Sequence, residues 1–175
     1  MNYSAIKDIS LDKKLKIDVS IIIVNYKTPT LLLHCIKSIK KSGTKQNFEI
    51  IVVDNASEDE TVETIENNFP EVQLIASEEN LGFPKAVNRG IKRARGNYIM
   101  ILNPDITLLN NPIDIMTDFL ERHPSAGVVG AKLLYPNGSV QNSCFSKFTT
   151  PKIVLYRRTS LGKSKKGEQE INDFL

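Results

Sequence analysis

Apolar residues in this chain follow two rhythms that take turns. Residues 18–24 form a β-branched run too uniformly apolar for a strand with one wet face, which predicts a strand buried on both sides, as in a parallel sheet. Thr28 then precedes Pro29, a cap followed by a proline suited to the first helical position. Leu32, Cys35, Ile36 and Ile39 recur at helical spacing before Gly43. A second strand is predicted over residues 48–53. Ser57 and Glu60 have capping-box spacing, Val62, Ile65 and Phe69 form the next helical stripe, and Pro70 closes it. Residues 72–76 predict a shorter third strand. Pro84 begins a third helix with Phe83, Val87, Ile91 and Ala94 as its apolar face and Gly96 as its stop. After a fourth strand over 98–102, Asn111-Pro112 repeats the cap-plus-proline start. Ile113, Met116, Phe119 and Leu120 are expected to face inward, and His123-Pro124 ends the helix. Residues 127–135 and 139–141, joined at Asn137-Gly138, read as an antiparallel hairpin.

The alternation predicts an α/β fold: an open, mainly parallel sheet flanked by helices, with the hairpin near the C-terminus. With 175 residues, 41% of them hydrophobic, the chain is sized for one domain that buries about 70% of its unfolded surface. Its 23 basic and 20 acidic residues leave a net charge of +3, too mild to predict a nucleic-acid partner without a clustered face. Cys35 and Cys144 are too few for a disulfide framework and lack zinc-site spacing, so a reducing, cytoplasmic setting is expected. Asp8 and Asp12 interrupt the stretch that a signal peptide would keep apolar. The longest apolar runs, 21–24 and 31–33, are far shorter than the ~20 residues that cross a bilayer. From Lys152 onward basic residues outnumber acidic ones and the periodicity lapses, so 160–170 reads as an exposed linker.

Candidate chemistry gathers at the predicted strand ends. Asp54, Asp105 and the pair Asn25-Tyr26 all fall on the carboxyl edge of the sheet, where open α/β folds bind ligands. Each alone has a plain explanation, since Asp54 suits an Asx turn and Asn103-Pro104 starts turns. Three on one edge point to a shared site that handles a nucleotide. The stretch 79–91 adds Gly82, which lets backbone approach a ligand, and a helix start at Phe83-Pro84 whose N–H groups suit an anion; an ordinary turn into a helix explains it equally well. Lys85, Arg89, Lys92, Arg93 and Arg95 read as a solvated helix face. His34 and His123 have no partners at metal-ligand spacing, and Cys144 beside Phe145 reads as packing.

In series, VSIIIVNYKTP, EIIVVDNASEDET, ENLGFPKAVNRGI and YIMILNPD resemble the donor-binding half of family-two glycosyltransferases with the GT-A (Rossmann-like) fold, and the rhamnosyltransferase-like branch in particular. The resemblance covers residues 18–141. It divides the chain into a leader (1–17), a GT-A nucleotide-sugar-binding domain (18–145) and a basic polar tail (146–175) that starts an acceptor-side segment. It implies that Val24, Asn25 and Tyr26 line the pocket for base and ribose, and that Asp54, with Asn55 beside it, bonds the base. Gly82, Phe83 and Asn88 would complete the nucleotide site. Asn103-Pro104-Asp105 stands where the family carries an Asp-x-Asp motif, making Asp105 the candidate ligand of a Mg²⁺ or Mn²⁺ ion that bridges the diphosphate. Asn103 in place of the first acid removes one charge, while its amide can still bond a ribose hydroxyl.

By the same resemblance the reaction is inverting transfer of a sugar from a dTDP- or UDP-sugar to a glycan or lipid-linked acceptor, in cell-surface polysaccharide synthesis. The family's general base is an acid on the acceptor side. After Asp105 the acids are Asp114, Asp118 and Glu121, in the predicted fourth helix, and Glu168, Glu170 and Asp173, in the tail. No base is assigned, and the chain is expected to bind donor while transferring weakly or not at all. Two other readings stay open: a non-catalytic nucleotide-binding module, and a phosphoacceptor receiver domain using Asp54. The second lacks the acidic pair that would hold magnesium after the first strand, and a dinucleotide oxidoreductase lacks G-x-G-x-x-G. The basic tail suggests peripheral contact with an anionic membrane at its inner face, and an exposed sheet edge suggests pairing with a second copy.

Overall fold

Strand and helix alternate through the residues that the computed structural model describes, 16–141 and Ser164. The elements are β1 (Val19–Asn25), α1 (Pro29–Lys40), β2 (Phe48–Asp54), α2 (Thr61–Asn68), β3 (Gln73–Ala76), α3 (Phe83–Ile91), β4 (Tyr98–Leu102) and α4 (Pro112–Arg122). All four strands are parallel, in the order β3-β2-β1-β4. Every residue of β1 is buried, because helices cover both faces, and this is why its sequence shows no alternation. On one face Ile21, Ile23, Ile50 and Val52 pack with Leu32, Cys35, Ile36 and Ile39 of α1, Ile65 of α2 and Ile113 of α4. On the other, Val24 and Val53 meet Ala86 and Val87 of α3. Gly90 admits α3 to close range, since a Cβ there would stand 2.6 Å from Ile22 Cγ2. Complete burial of side chains this size contributes about 1.5–3 kcal/mol each, so β1 anchors the sheet. The chain runs outward from β1 to β3, then returns across β1 to β4. That reversal opens a crevice at the carboxyl ends of the strands.

The amino-terminal edge is closed by Glu49, which is buried. Its Oε1 accepts from Ser20 Oγ and the Arg95 N–H, both at 2.7 Å. Its Oε2 accepts from Gln73 Nε2 at 2.7 Å, Arg95 Nε at 3.0 Å and Arg95 Nη2 at 2.6 Å. Burial pushes this carboxyl's pKa up; the bonds from Ser20 and Arg95, with the guanidinium charge, outweigh it and hold the pKa below its ordinary value.

Several local expectations are corrected. Helix α3 ends at Ile91, and Gly96 serves a close approach instead of a stop: a Cβ there would lie 2.5 Å from Ser20 N. Phe83 and Ile91 are exposed, and the buried face of α3 is Ala86, Val87 and Gly90. In α4, Phe119 is 37% exposed and stacks on His123 with ring centroids 4.1 Å apart. Thr117 takes the inward position instead, because its hydroxyl bonds the Ile113 carbonyl at 3.0 Å and so needs no water. Ser57 does not cap α2, whose N-cap is Glu60, since Ser57 Oγ is committed to Asp54 and to the Lys27 N–H. Thr28 makes no side-chain cap to α1 and donates instead to Asn25 Oδ1 at 2.7 Å.

The chain divides into two compact units, Met1–Gly127 and Val128–Leu175, and all eight elements belong to the first. In the second the expected hairpin strands do not form. A turn closes with Gly138 N–H on Tyr135 O and Tyr135 N–H on Ser139 O, both 2.8 Å, beside a single antiparallel bridge between Leu134 and Val140. Leu134, Tyr135 and Val140 are exposed and Val128 is 88% exposed, so among the described residues no buried face drives longer strands here. Apart from Lys16, Ile17 and Ser164, the leader and tail, with Cys144, lie outside the described residues.

Candidate functional site

A cleft of about 320 Å³ opens at the carboxyl edge, lined by Val24, Tyr26, Thr28, Asn55, Asn80, Phe83, Asn103 and Pro104. Its walls come from the ends of β1, β2 and β4 and the turn into α3. Five of the residues expected from sequence meet here: Val24, Tyr26, Asn55, Phe83 and Asn103. Asn25, Asp54, Gly82, Asn88 and Asp105 are not among the lining residues.

Asn25 and Asp54 form a buried polar network. Asn25 Nδ2 lies 3.3 Å from Asp54 Oδ1, 3.2 Å from Ser57 Oγ and 3.1 Å from Thr61 Oγ1. Asp54 Oδ2 accepts the Ser57 N–H at 3.1 Å, and Oδ1 accepts the Ser57 hydroxyl. With these donors Asp54 holds the turn after β2, in which Ala56 and Glu58 take φ of 63° and 55°. At 3% exposure it is not the accessible strand-end acid that a phosphoacceptor domain needs.

Asn55 organises the next wall. Its Nδ2 donates to Asn80 Oδ1 at 2.8 Å, its Oδ1 accepts the Leu81 N–H at 2.9 Å, and Asn80 Oδ1 also accepts the Gly82 N–H at 2.9 Å. These bonds shape the approach to α3. Gly82 turns the chain at φ 72° with open space around its missing Cβ, so the backbone angle, and not crowding, calls for glycine. Phe83 follows as an exposed ring, and Asn88 lies exposed further along α3. Arg89 Nη1 donates to Ser77 Oγ at 2.9 Å, tying α3 to the end of β3.

The third wall is pinned by α1. The Asn103 carbonyl accepts from Ile106 N–H at 3.3 Å and from Cys35 Sγ at 3.6 Å, and Ser38 Oγ accepts the Leu108 N–H at 3.1 Å. Asp105 is exposed beyond Pro104. Burial, and then the Asp105 charge, push the Cys35 thiol up to about 12, so it packs as a neutral group and is no nucleophile. Among the described residues no group of three or more His, Cys, Asp or Glu side chains is gathered that could hold a metal ion. Thr28, read from sequence as a helix cap, Asn80, within the stretch 79–91, and Pro104, within Asn103-Pro104-Asp105, were not assigned to the site from sequence. Asn80, two residues before Gly82, carried an Asx-turn signal that would have found it.

Strand order, crevice and neutral, amide-lined cleft define an open α/β domain with a cleft at the sheet edge where such folds bind ligands. The chain belongs to glycosyl transferase family 2, whose profile matches residues 20–170. It is 30% identical over 112 residues to N-acetylglucosaminyl-diphospho-decaprenol L-rhamnosyltransferase of Mycobacterium tuberculosis, covering 58% of this chain and 36% of that protein. It is 27% identical over 140 residues to the poly(ribitol-phosphate) beta-N-acetylglucosaminyltransferase TarS of Staphylococcus aureus, covering 78% and 24%. The chain thus spans about a third or less of these relatives' lengths. Its fold matches TarS 1-349 in complex with UDP at a TM-score of 0.56, with 20% identity over 70% of this chain and 43% of that one. It matches the mannosyltransferase PcManGT from Pyrobaculum calidifontis, in complex with GDP-Man and Mn²⁺, at 0.58, with 20% identity over 71% and 37%. The fold is the GT-A fold of these glycosyltransferases.

Proposed function

We propose that this chain is the donor-binding part of a glycosyltransferase that moves a sugar, with inversion, from a UDP- or dTDP-sugar to a glycan or lipid-linked acceptor in cell-surface polysaccharide synthesis. The observation that carries this reading is the cleft itself: two exposed aromatic rings, Tyr26 and Phe83, with the amides of Asn55, Asn80 and Asn103, at the point where the strand order reverses. Flat rings suit a nucleobase, and amides offer both donors and acceptors to base edges and ribose hydroxyls. In this proposal Val24, Tyr26 and Phe83 meet the base and ribose, Asn103 bonds a ribose hydroxyl, and Asn55, itself 3% exposed, holds its wall of the cleft through Asn80 and Leu81. Asn25 and Asp54 set the turn that presents Asn55, and Gly82 lets backbone approach the ligand.

Asp105 fits a divalent cation in one respect. A single exposed carboxylate, next in sequence to the lining residue Pro104, suits Mg²⁺ or Mn²⁺, which complete their shells with phosphate oxygens and water. When bound, such an ion supplies charge stabilisation to the departing diphosphate. The general base remains unassigned: Asp114 is engaged by Thr44, Asn111 and the Lys45 N–H, and Asp118 and Glu121 are exposed on α4. We place the protein at the inner face of the membrane, its basic tail against anionic lipid. No helix among the described residues is long and apolar enough to cross a membrane. A thermal-shift panel of UDP, dTDP and GDP, with and without Mn²⁺, on the wild type and Asp105→Ala tests the proposal. UDP or dTDP should raise the midpoint, and Mn²⁺ should add to the shift only while Asp105 is present; no shift with any nucleotide would overturn it.

A further inference from the structure

None of the residues lining the cleft carries a charge, yet a nucleoside diphosphate brings at least two negative charges. Lys27 sits between two lining residues, Tyr26 and Thr28. Its backbone takes φ 56°, a left-handed conformation that is unfavourable for any residue with a Cβ. The conformation is enforced: the Lys27 N–H donates to Ser57 Oγ at 2.9 Å, and Ser57 is buried against Asn25 and Asp54. The side chain places Nζ 5.3 Å from the centroid of the Tyr26 ring, a ring that lines the cleft. That partner is a neutral π face, which leaves the ammonium charge uncancelled. The ion pairs among the described residues, Lys40–Glu71 and Arg95–Glu49, do not involve Lys27. Strain kept at a lysine beside a cleft, where glycine would relieve it, is the kind found at functional sites.

Resting on the reading of the cleft as a nucleotide site, we propose that Lys27 supplies a positive charge to the diphosphate of the bound nucleotide, so that part of the diphosphate's affinity needs no metal ion. Calorimetry in EDTA with uridine, UMP and UDP, and with thymidine, dTMP and dTDP, compares the wild type with Lys27→Met, Lys27→Arg and Lys27→Gly. The wild type should bind the diphosphate more tightly than the nucleoside. Lys27→Met should lower diphosphate affinity about tenfold, the scale of one charge-assisted hydrogen bond, and leave nucleoside affinity unchanged, while Lys27→Arg retains both. Lys27→Gly, free of the left-handed penalty, should lose the same affinity without lowering the unfolding midpoint. Unchanged diphosphate binding in Lys27→Met, an equal loss for nucleoside and diphosphate, or wild-type binding that appears only with Mn²⁺ would each overturn the role of Lys27 and leave the nucleotide site standing. Wild-type protein that binds neither nucleoside nor diphosphate, with or without Mn²⁺, would remove the nucleotide site itself.

Discussion

Replacing Glu49 by glutamine keeps the volume and removes one charge from the closed, amino-terminal edge of the sheet. Five donor contacts converge on this carboxylate, from Ser20, Gln73 and, three times, Arg95. A glutamine offers one acceptor oxygen and turns an NH₂ toward the remaining donors. Breaking a buried charge pair costs about 3–5 kcal/mol. The Arg95 side chain is 52% exposed and regains water, so the lower end applies, about 3 kcal/mol, or about 6–12 °C in Tm for a chain this size. The pH dependence has a definite sign. The folded-state pKa lies below its ordinary value of 4.5, so the stabilisation is complete above that value and is lost as pH falls through the depressed one. Urea unfolding followed by circular dichroism should show a constant gap between wild type and Glu49→Gln from pH 7 to about 5.5, narrowing below about 4.5. A gap under about 0.5 kcal/mol at pH 7, the level of an ordinary surface substitution, would refute the reasoning, as would one that widens on acidification.

Other outcomes follow from the same contacts. Gly90→Ala should cost about 1–3 kcal/mol by pushing α3 off Ile22; Gly96→Ala should cost more, because the atom its Cβ meets is backbone nitrogen, and urea midpoints in the reverse order would contradict this. In a Cys144→Ser background, Cys35, with its thiol pushed up to about 12, should react with iodoacetamide at pH 8 only at the rate of unfolding, and prompt labelling of the native protein would sink that expectation. Asp54→Asn should lower stability by about 1–3 kcal/mol and leave UDP affinity within a few-fold, whereas Asn55→Ala should weaken UDP binding by calorimetry; the opposite pattern would move the nucleotide contact to Asp54.

How far the sequence could be read depends on what each pattern encodes. The apolar run of β4 over 98–102 matches the strand residue for residue, because its boundaries are the edges of an apolar patch. Strand β1 extends one residue beyond its apolar run: Asn25 continues the pairing opposite Asp54, and a buried amide satisfied by Asp54, Ser57 and Thr61 is invisible to hydropathy. Gly96 resembled a helix stop because a capping glycine and a close-approach glycine look alike in one dimension. At the site, the strand ends were legible as a set. Successive side chains at a strand end point to opposite sides, so the pair Asp54-Asn55 was visible while the member facing the cleft was not. Asn80 carried a local Asx-turn signal toward Gly82, while its bond to Asn55, 25 positions away, leaves no trace in one dimension.

Hydrogen exchange of the free protein and of the protein saturated with UDP or dTDP in the presence of Mn²⁺ tests the central claim directly, because it reports where the nucleotide sits. The account predicts new protection confined to the turns around Tyr26, Asn55, Asn80–Phe83 and Asn103. Protection confined to the amino-terminal edge around Glu49 and Arg95, or none at saturating nucleotide, would contradict it.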